Sequence, residues 1–355
     1  MAGTPKSAAL ARNGFRLLQV ARAQLDAAGV RDGSLLVAVS AGGDSLALLE
    51  LCALAAPRLG LGLCAVYVDH GVRPEAAIER AVVQASAERL GAAFESVTIS
   101  PDGTDEDSLR RARLRALEAV ALARGCRWIA LGHTADDQIE TIVLRFLRGA
   151  GFGGLAGMRA VRGPFVRPLL GLRRDDLRDF LRRRGLAWVE DASNGWLRYA
   201  RARLRREVLP AIEQTFGAGA LEHLARQAPR WREDQDFLDA EALRLEAYCS
   251  RQGRDGRVEL DIASLTDASP ALRSRVLHRW LGQLGDLATP DLRHVALVES
   301  LLTHAQPGAT LDLPGLRVWR EAGRLRSARS GDSSAPTRPA RANRPRHVAA
   351  SPRAC

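Results

Sequence analysis

The chain has 355 residues, 46% of them hydrophobic, which is enough for packed cores and suggests two domains and a tail. Net charge is +11 and almost all of the basic excess is arginine, Lys6 being the only lysine, so the composition favours polyanionic partners. The five cysteines form no C-x-x-C, which argues against a zinc knuckle, iron–sulfur cluster or dithiol pair. No signal peptide or membrane span is visible, so a soluble cytoplasmic protein is expected.

Phe15, Leu17, Leu18, Ala21 and Leu25 predict an amphipathic helix over 14–29. Leu35 to Val39 is apolar throughout, as a buried parallel strand should be. It breaks into Ser40-Ala41-Gly42-Gly43-Asp44-Ser45, and apolar residues at helical spacing follow from Leu46 to Cys52. A strand, a tight turn of small residues and a helix present backbone N–H groups to a phosphate. The hydroxyls of Ser40 and Ser45 add donors, and the missing lysine separates this loop from the Walker type. A plain corner with Asp44 or Ser45 as N-cap would account for the same letters.

A second strand, 61–68, ends at Asp69-His70-Gly71, and Pro74 opens a helix to about Leu90. A third strand spans 94–99. A helix over 107–124 carries Arg110, Arg111, Arg113 and Arg115. A fourth strand, 127–131, leads into Gly132-His133-Thr134-Ala135-Asp136-Asp137-Gln138. This alternation predicts an α/β fold with a doubly wound parallel sheet, whose ligands bind beyond the carboxyl ends of the strands. Residues 40–45, 69–73 and 132–137 all fall there.

On a helical wheel His133, Asp136, Asp137 and Glu140 lie within about 100° of one another. Acids at a helix N-terminus suit the macrodipole, but three in five residues should repel unless a cation sits among them. Mg²⁺ or a substrate ammonium is the expected cation. Residues 147–158 are dense in glycine and predicted mobile. A short strand and turn near 164–170 and a basic helix over 173–185 follow. A turn at 188–194 leads to a helix rich in arginine, including Arg201, Arg203 and Arg205, suited to gripping phosphates or RNA.

Beyond about Phe216 the pattern turns helical, with helices over 218–248, 270–284 and 291–303 and a hairpin around Pro314-Gly315. The expected domains are therefore 1–215, catalytic, and 216–326, mostly helical. The Ser/Pro/Arg/Ala-rich stretch 327–355 should be a disordered basic tail.

Residues 40–45 resemble the pyrophosphate loop, S-G-G-x-D-S, of the N-type ATP pyrophosphatases, with Ala41 where the first glycine belongs. That methyl would crowd a phosphate or resist a positive φ. Five stretches in order extend the resemblance. They are AVSAGGDSLALL, VDHGVRPEA, GHTADDQIET followed by LRFLRGAGFGGLAGM, RPLL, and EDASN with the arginine run before LP. Together they are similar to the tRNA(Ile)-lysidine synthetase family. Ala192, Ala202 and Leu114 stand where that family usually has proline, asparagine and tyrosine.

The resemblance implies a reaction. ATP adenylates C2 of the cytidine at the first anticodon position of a tRNA(Ile) with a CAU anticodon, and free L-lysine displaces AMP. It implies ATP-binding roles for Ser40, Ala41, Gly42, Gly43, Asp44, Ser45, Asp69, His70, Gly132 and His133. Asp44 would also meet Mg²⁺. Arg113, Asp137 and Glu140 would hold the lysine, with Asp137 as base, and Arg201, Arg203 and Arg205 would stabilise the intermediate or grip the anticodon loop. A helical C-terminal domain would bind tRNA. The oligomeric state is unmarked and a homodimer stays compatible. The rival expectations are a tRNA thiolase, a small-acid amide synthetase and an inactive RNA-binding protein.

Overall fold

A computed structural model describes residues 12–69, 71, 76–100, 103, 105–149, 152–189, 200–217, 219–253, 255–284, 290–303 and 308–329. The chain divides into two compact units at Arg232/Glu233. The division falls within a helix, later than the expected boundary at 216.

The first unit is built on a six-stranded sheet of order β3-β2-β1-β4-β6-β5. Its strands are β1 (Gly33–Ala38), β2 (Leu61–Asp69), β3 (Ala93–Thr98), β4 (Trp128–Ala130), β5 (Val161–Arg162) and β6 (Phe165–Val166). All neighbours are parallel except the β5–β6 pair. β1 is central, with Leu36 level with Cys64 of β2 and Ile129 of β4. The helices are α1 (Arg12–Ala27), α2 (Gly43–Leu59), α3 (Ala76–Leu90), α4 (Glu106–Ala123), α5 (Ala135–Leu147), α6 (Phe152–Leu155) and α7 (Arg174–Arg183). Then come α8 (Ala200–Arg203), a π-helical turn Leu204–Val208, α9 (Leu209–Phe216) and α10 (Ala220–Cys249), which contains the division between units.

Alternation along β1 explains why both faces are covered. Leu35 and Val37 join a core with Leu17, Leu48, Leu51, Val83 and Leu177, from α1, α2, α3 and α7. Leu36, between them, points to the other face and packs with Leu117 and Ala121 of α4. Each such leucine contributes about 1.5–3 kcal/mol by leaving water. The chain runs outward from β1 to β3 and returns across the sheet to β4. The loops after β1 and β4 therefore diverge at a topological switch point.

The glycine-dense segment predicted to be mobile is tethered at its far end. Gln138 accepts from the Met158 N–H at 2.6 Å and donates to its carbonyl at 3.2 Å, while Arg145 Nη1 donates to the Gly157 carbonyl at 3.0 Å. Gly157 has φ +61°, and a Cβ there would overlap the Gln138 amide. Buried Leu204 packs with Ile139 and Val143 of α5 and Leu221 of α10, which seats the π-helical turn against α5.

The second unit adds an antiparallel sheet to the expected helices. It contains β7 (Ser250–Gln252), β8 (Val258–Asp261), α11 (Ile262–Asp267), α12 (Pro270–Gln283), α13 (Leu292–Thr303), β9 (Thr310–Leu313), β10 (Leu316–Glu321) and β11 (Arg324–Arg329). The hairpin at Pro314-Gly315 joins β9 to β10 within the order β7-β8-β11-β10-β9. β7 and β8 are only three and four residues long and β11 carries three arginines, so their alternation was faint in sequence. β11 runs through Arg329, with Ser327 and Ala328 buried, so ordered chain extends three residues into the stretch expected as tail. Residues 330–355 lie outside the described residues.

Trp280 is fully buried among Leu277, Leu281 and Leu316, and its indole N–H donates to the Val258 carbonyl at 2.8 Å. Trp280→Ala should destabilise the second unit by about 3–5 kcal/mol, read as a lower denaturation midpoint for that unit.

Candidate active site

The cleft forms where the loops after β1 and β4 meet. Gly42 precedes α2 in extended conformation and contributes no side-chain cap, which leaves the first N–H groups of a 17-residue helix for a ligand. The loop is closed on itself: Ser45 Oγ accepts from the Ser40 N–H at 3.1 Å and donates to the Gly42 carbonyl at 2.9 Å. A Cβ on Gly132 would lie 3.3 Å from Ser45 Cα, tighter than ordinary contact, so glycine eases this close approach of the β4 loop. Gly43, the variable letter of the motif, has Trp188 at 3.5 Å from where its Cβ would be.

Ala41 does adopt the left-handed backbone, with φ +60°. Its methyl is fully buried in the core cluster, and its carbonyl accepts from the Val189 N–H at 3.0 Å. The expected crowding of a phosphate does not arise, because the methyl points inward. The αL strain of about 1–2 kcal/mol is offset in part by burial of a methyl worth about 0.8 kcal/mol.

The cleft has a volume of about 530 Å³, a size that suits a nucleotide. Ser40, Gly42, Gly43, Asp44 and Ser45 line one end, with Gly132 and His133 beside them. Apolar side chains such as Val39, Val66, Leu131 and Trp188 contribute to the walls, and Arg110, Arg113, Arg174, Arg178, Arg201 and Arg205 outnumber Asp44 and Asp137 there, so the lining is cationic. Asp69 instead accepts from the Gly71 N–H at 2.8 Å at the end of β2 and is not among the lining residues. His70 lies outside the described residues.

The acidic face of α5 has its own cations. Asp136 caps α7, accepting from the Arg174 N–H at 2.7 Å and pairing with Arg173 at 3.2 Å. Asp137 divides its two oxygens. Its Oδ2 accepts from the Thr134 N–H at 2.8 Å in a capping box, while Oδ1 faces Arg174 at 3.3 Å and Arg201 and Arg205 at 3.8 Å. Glu140, 1% exposed, accepts from Arg201 Nε at 2.9 Å and from Arg205 Nε at 2.6 Å and Nη2 at 3.0 Å. The cation that sequence demanded is thus supplied by the chain's arginines. Leu204 carries Arg201 and Arg205 there. Arg203 lies on the opposite face, exposed and paired with Glu207 at 3.5 Å. The spacing i, i+4 separates Arg203 from the other two and could have been read in sequence. Arg174, Arg178 and Trp188 were not singled out by the sequence, since nothing distinguishes them within a basic helix and a turn.

Burial pushes the Asp44 carboxyl above its usual range, against the pull of Arg174. Its Oδ2 accepts from Arg174 Nε at 2.9 Å, and Oδ1 is sealed from water without a partner among the described residues. Arg113 is half-buried, its Nε likewise sealed, with no acid paired to it among the described residues. An arginine in that setting is suited to receive an anion. Burial, with Arg167, Arg113 and other arginines around it, lowers His133 to about 3. It is therefore a neutral imidazole at physiological pH. No group of three or more Asp, Glu, His or Cys side chains surrounds a metal position among the described residues. Nor is any described helix long and apolar enough to cross a membrane. Cys52 and Cys249 are buried thiols, pushed up to about 12 and about 11.

This sheet order, with a phosphate loop after β1 and an open cleft at the switch point, defines the pyrophosphate-loop class of nucleotide-binding proteins. Residues 16–212 match the PP-loop domain family, and residues 260–326 match the TilS substrate binding domain. A U34-tRNA thiolase, NcsA, from Methanococcus maripaludis shares the fold, with a TM-score of 0.54 and 16% identity over 62% of this chain and 80% of that one. Among curated relatives, tRNA(Ile)-lysidine synthase of Leifsonia xyli is 38% identical over 82% of this chain and 88% of its own length. That of Salinispora tropica is 41% identical over 82% and 90%. That of Thermobifida fusca is 38% identical over 90% and 97%. The chain belongs to the tRNA(Ile)-lysidine synthase family.

Two outcomes follow from this geometry. Ala41→Gly should change stability by less than about 1 kcal/mol in denaturant titrations and leave nucleotide affinity unchanged. Between pH 6.5 and about 3 the unfolded His133 takes up a proton that the folded one refuses, so stability falls with pH across that window. His133→Gln should flatten that slope in pH-dependent melts.

Proposed function

We propose that this protein joins L-lysine to C2 of the cytidine at the first anticodon position of a tRNA(Ile) with a CAU anticodon. ATP activates the C2 oxygen as an adenylate and releases pyrophosphate; the lysine side-chain amine then attacks and AMP leaves. The product pairs with adenosine, so the codon read changes from AUG to AUA. The observation that carries this reading is the single cleft lined by the phosphate loop, Asp137 and Arg113, an arginine with no acid paired to it among the described residues.

The residues supply the chemistry as follows. N–H groups of the Ser40–Ser45 loop and the α2 N-terminus hold the pyrophosphate. Neutral His133, with Gly132, borders the nucleoside, and Asp69 and His70 are assigned to ATP binding from the sequence alone. Asp44 fits Mg²⁺, because its sealed, unpartnered Oδ1 suits a hard cation whose remaining ligands are phosphate oxygens and water. Mg²⁺, when bound, offsets phosphate charge during nucleotidyl transfer. Arg113 takes the lysine carboxylate, while Glu140 and Asp137 take its ammonium. Asp137 then removes a proton, since an amine attacks only when neutral. Arg201 and Arg205 stabilise charge on the adenylate, and Arg203, outside the cleft, grips RNA backbone. The second unit binds tRNA, with the net charge of +11 adding long-range attraction. The reading implies work in the cytoplasm, where tRNA, ATP and lysine meet. It leaves a homodimer open.

Incubation with ATP, Mg²⁺, labelled lysine and CAU-anticodon tRNA(Ile) should label that tRNA and leave elongator methionine tRNA unlabelled. Asp137→Asn should slow incorporation by about 10²–10⁴-fold. Pyrophosphate release without lysine incorporation would show that the nucleophile is wrong.

A further inference from the structure

Arg174 has no part in the reading above, yet it reaches both halves of the cleft. Its Nε donates to Asp44 at 2.9 Å on the phosphate loop. Its two terminal nitrogens face Asp137 at 3.3 Å and Glu140 at 3.8 Å. The side chain is only 15% exposed. Its backbone cannot follow a ligand, because Asp136 holds the Arg174 N–H and the Ala135 N–H donates to the Leu172 carbonyl at 2.9 Å. Only the guanidinium can swing.

In this state an incoming ammonium finds no acceptor to itself. Both Glu140 oxygens are engaged by Arg201 and Arg205. Asp137 Oδ2 is committed to the Thr134 cap, and its other oxygen faces three guanidinium groups. On the opposite side, Asp44 holds Arg174 through its Oδ2. Phosphates placed at the α2 N-terminus would compete with Asp44 for the same guanidinium, and arginine binds phosphate well.

We propose that Arg174 couples the nucleotide half of the cleft to the amine half. In the ligand-free protein its guanidinium occupies the place of the substrate ammonium, and bound nucleotide phosphates draw it away so that lysine can enter. This rests on the lysine reading given above. A ligand shifts such an equilibrium only through differential affinity for the two states, and the coupling is reciprocal. Arg174 is a positioning residue in this scheme. It keeps the amine site closed until there is something to activate.

The test is equilibrium dialysis of labelled lysine against the full-length protein, with and without Mg²⁺ and α,β-methylene ATP. In the wild type the nucleotide analogue should tighten lysine binding about tenfold, and lysine should tighten analogue binding by the same factor. Arg174→Gln should bind lysine without nucleotide as tightly as the wild type does with it, so that the factor falls to about one. Arg174→Lys keeps the charge but cannot bridge two carboxylates, and should give an intermediate factor. An unchanged factor in Arg174→Gln overturns the proposal, as does equal lysine binding by the wild type with and without nucleotide. If Arg174→Gln does not fold, as judged by circular dichroism, Arg174→Lys decides, and an unchanged factor there overturns it too. If the wild type binds the analogue but never lysine, the amine reading itself fails and the coupling fails with it.

Discussion

Three carboxylates, Asp44, Asp137 and Glu140, converge at the carboxyl edge of the first sheet, and Glu140 is almost wholly out of water. Buried charge of one sign is tolerated only when paired and hydrogen-bonded. Arg174, Arg201 and Arg205 meet that demand. They arrive from two separate places in the chain, so α7 and the π-helical turn must both be seated against α5. Asp136 fixes the first by capping α7, and Leu204 fixes the second by packing on Ile139 and Val143. Much of the first unit's arrangement around α5 follows from this charge balance.

The same balance explains how a site for a cation can exist without one. A network closed on itself is stable without ligand, and each partner in it can be exchanged for a substrate group of like charge. Asp44 is the least satisfied member: one oxygen is paired, the other sealed and bare, and burial raises its pKa. An unsatisfied acid at a phosphate-binding helix terminus costs stability in the free protein, a pattern found where binding supplies the missing partner.

Close backbone approach is the second constraint. The loops after β1 and β4 touch at Gly132 and Ser45, and Trp188 lies over Gly43. A side chain at Gly132 would press on the phosphate loop, whereas a Cβ at Gly43 would meet Trp188 at ordinary contact distance. Ala41 shows the opposite case: a methyl is accepted in a left-handed conformation because it faces the core.

Strand and helix order from α1 to α5, the phosphate loop, the acidic residues of α5 and the family were legible in the sequence, because periodicity and short-range motifs are local properties. The antiparallel sheet of the second unit was mostly hidden, since short arginine-bearing strands such as β7 and β11 gain their identity from partners far along the chain. So were Arg174 and Trp188, whose roles come from residues distant in the chain, Asp44 lying 130 positions from Arg174. Arg203 was separable from Arg201 and Arg205 by spacing alone, but only the packing of Leu204 decided which face meets Glu140. The sequence by itself determined which groups of each charge exist and on which element each rides. Tertiary structure alone decided which of them pair, because pairing depends on distances that span the fold and on which carboxylates lose their water.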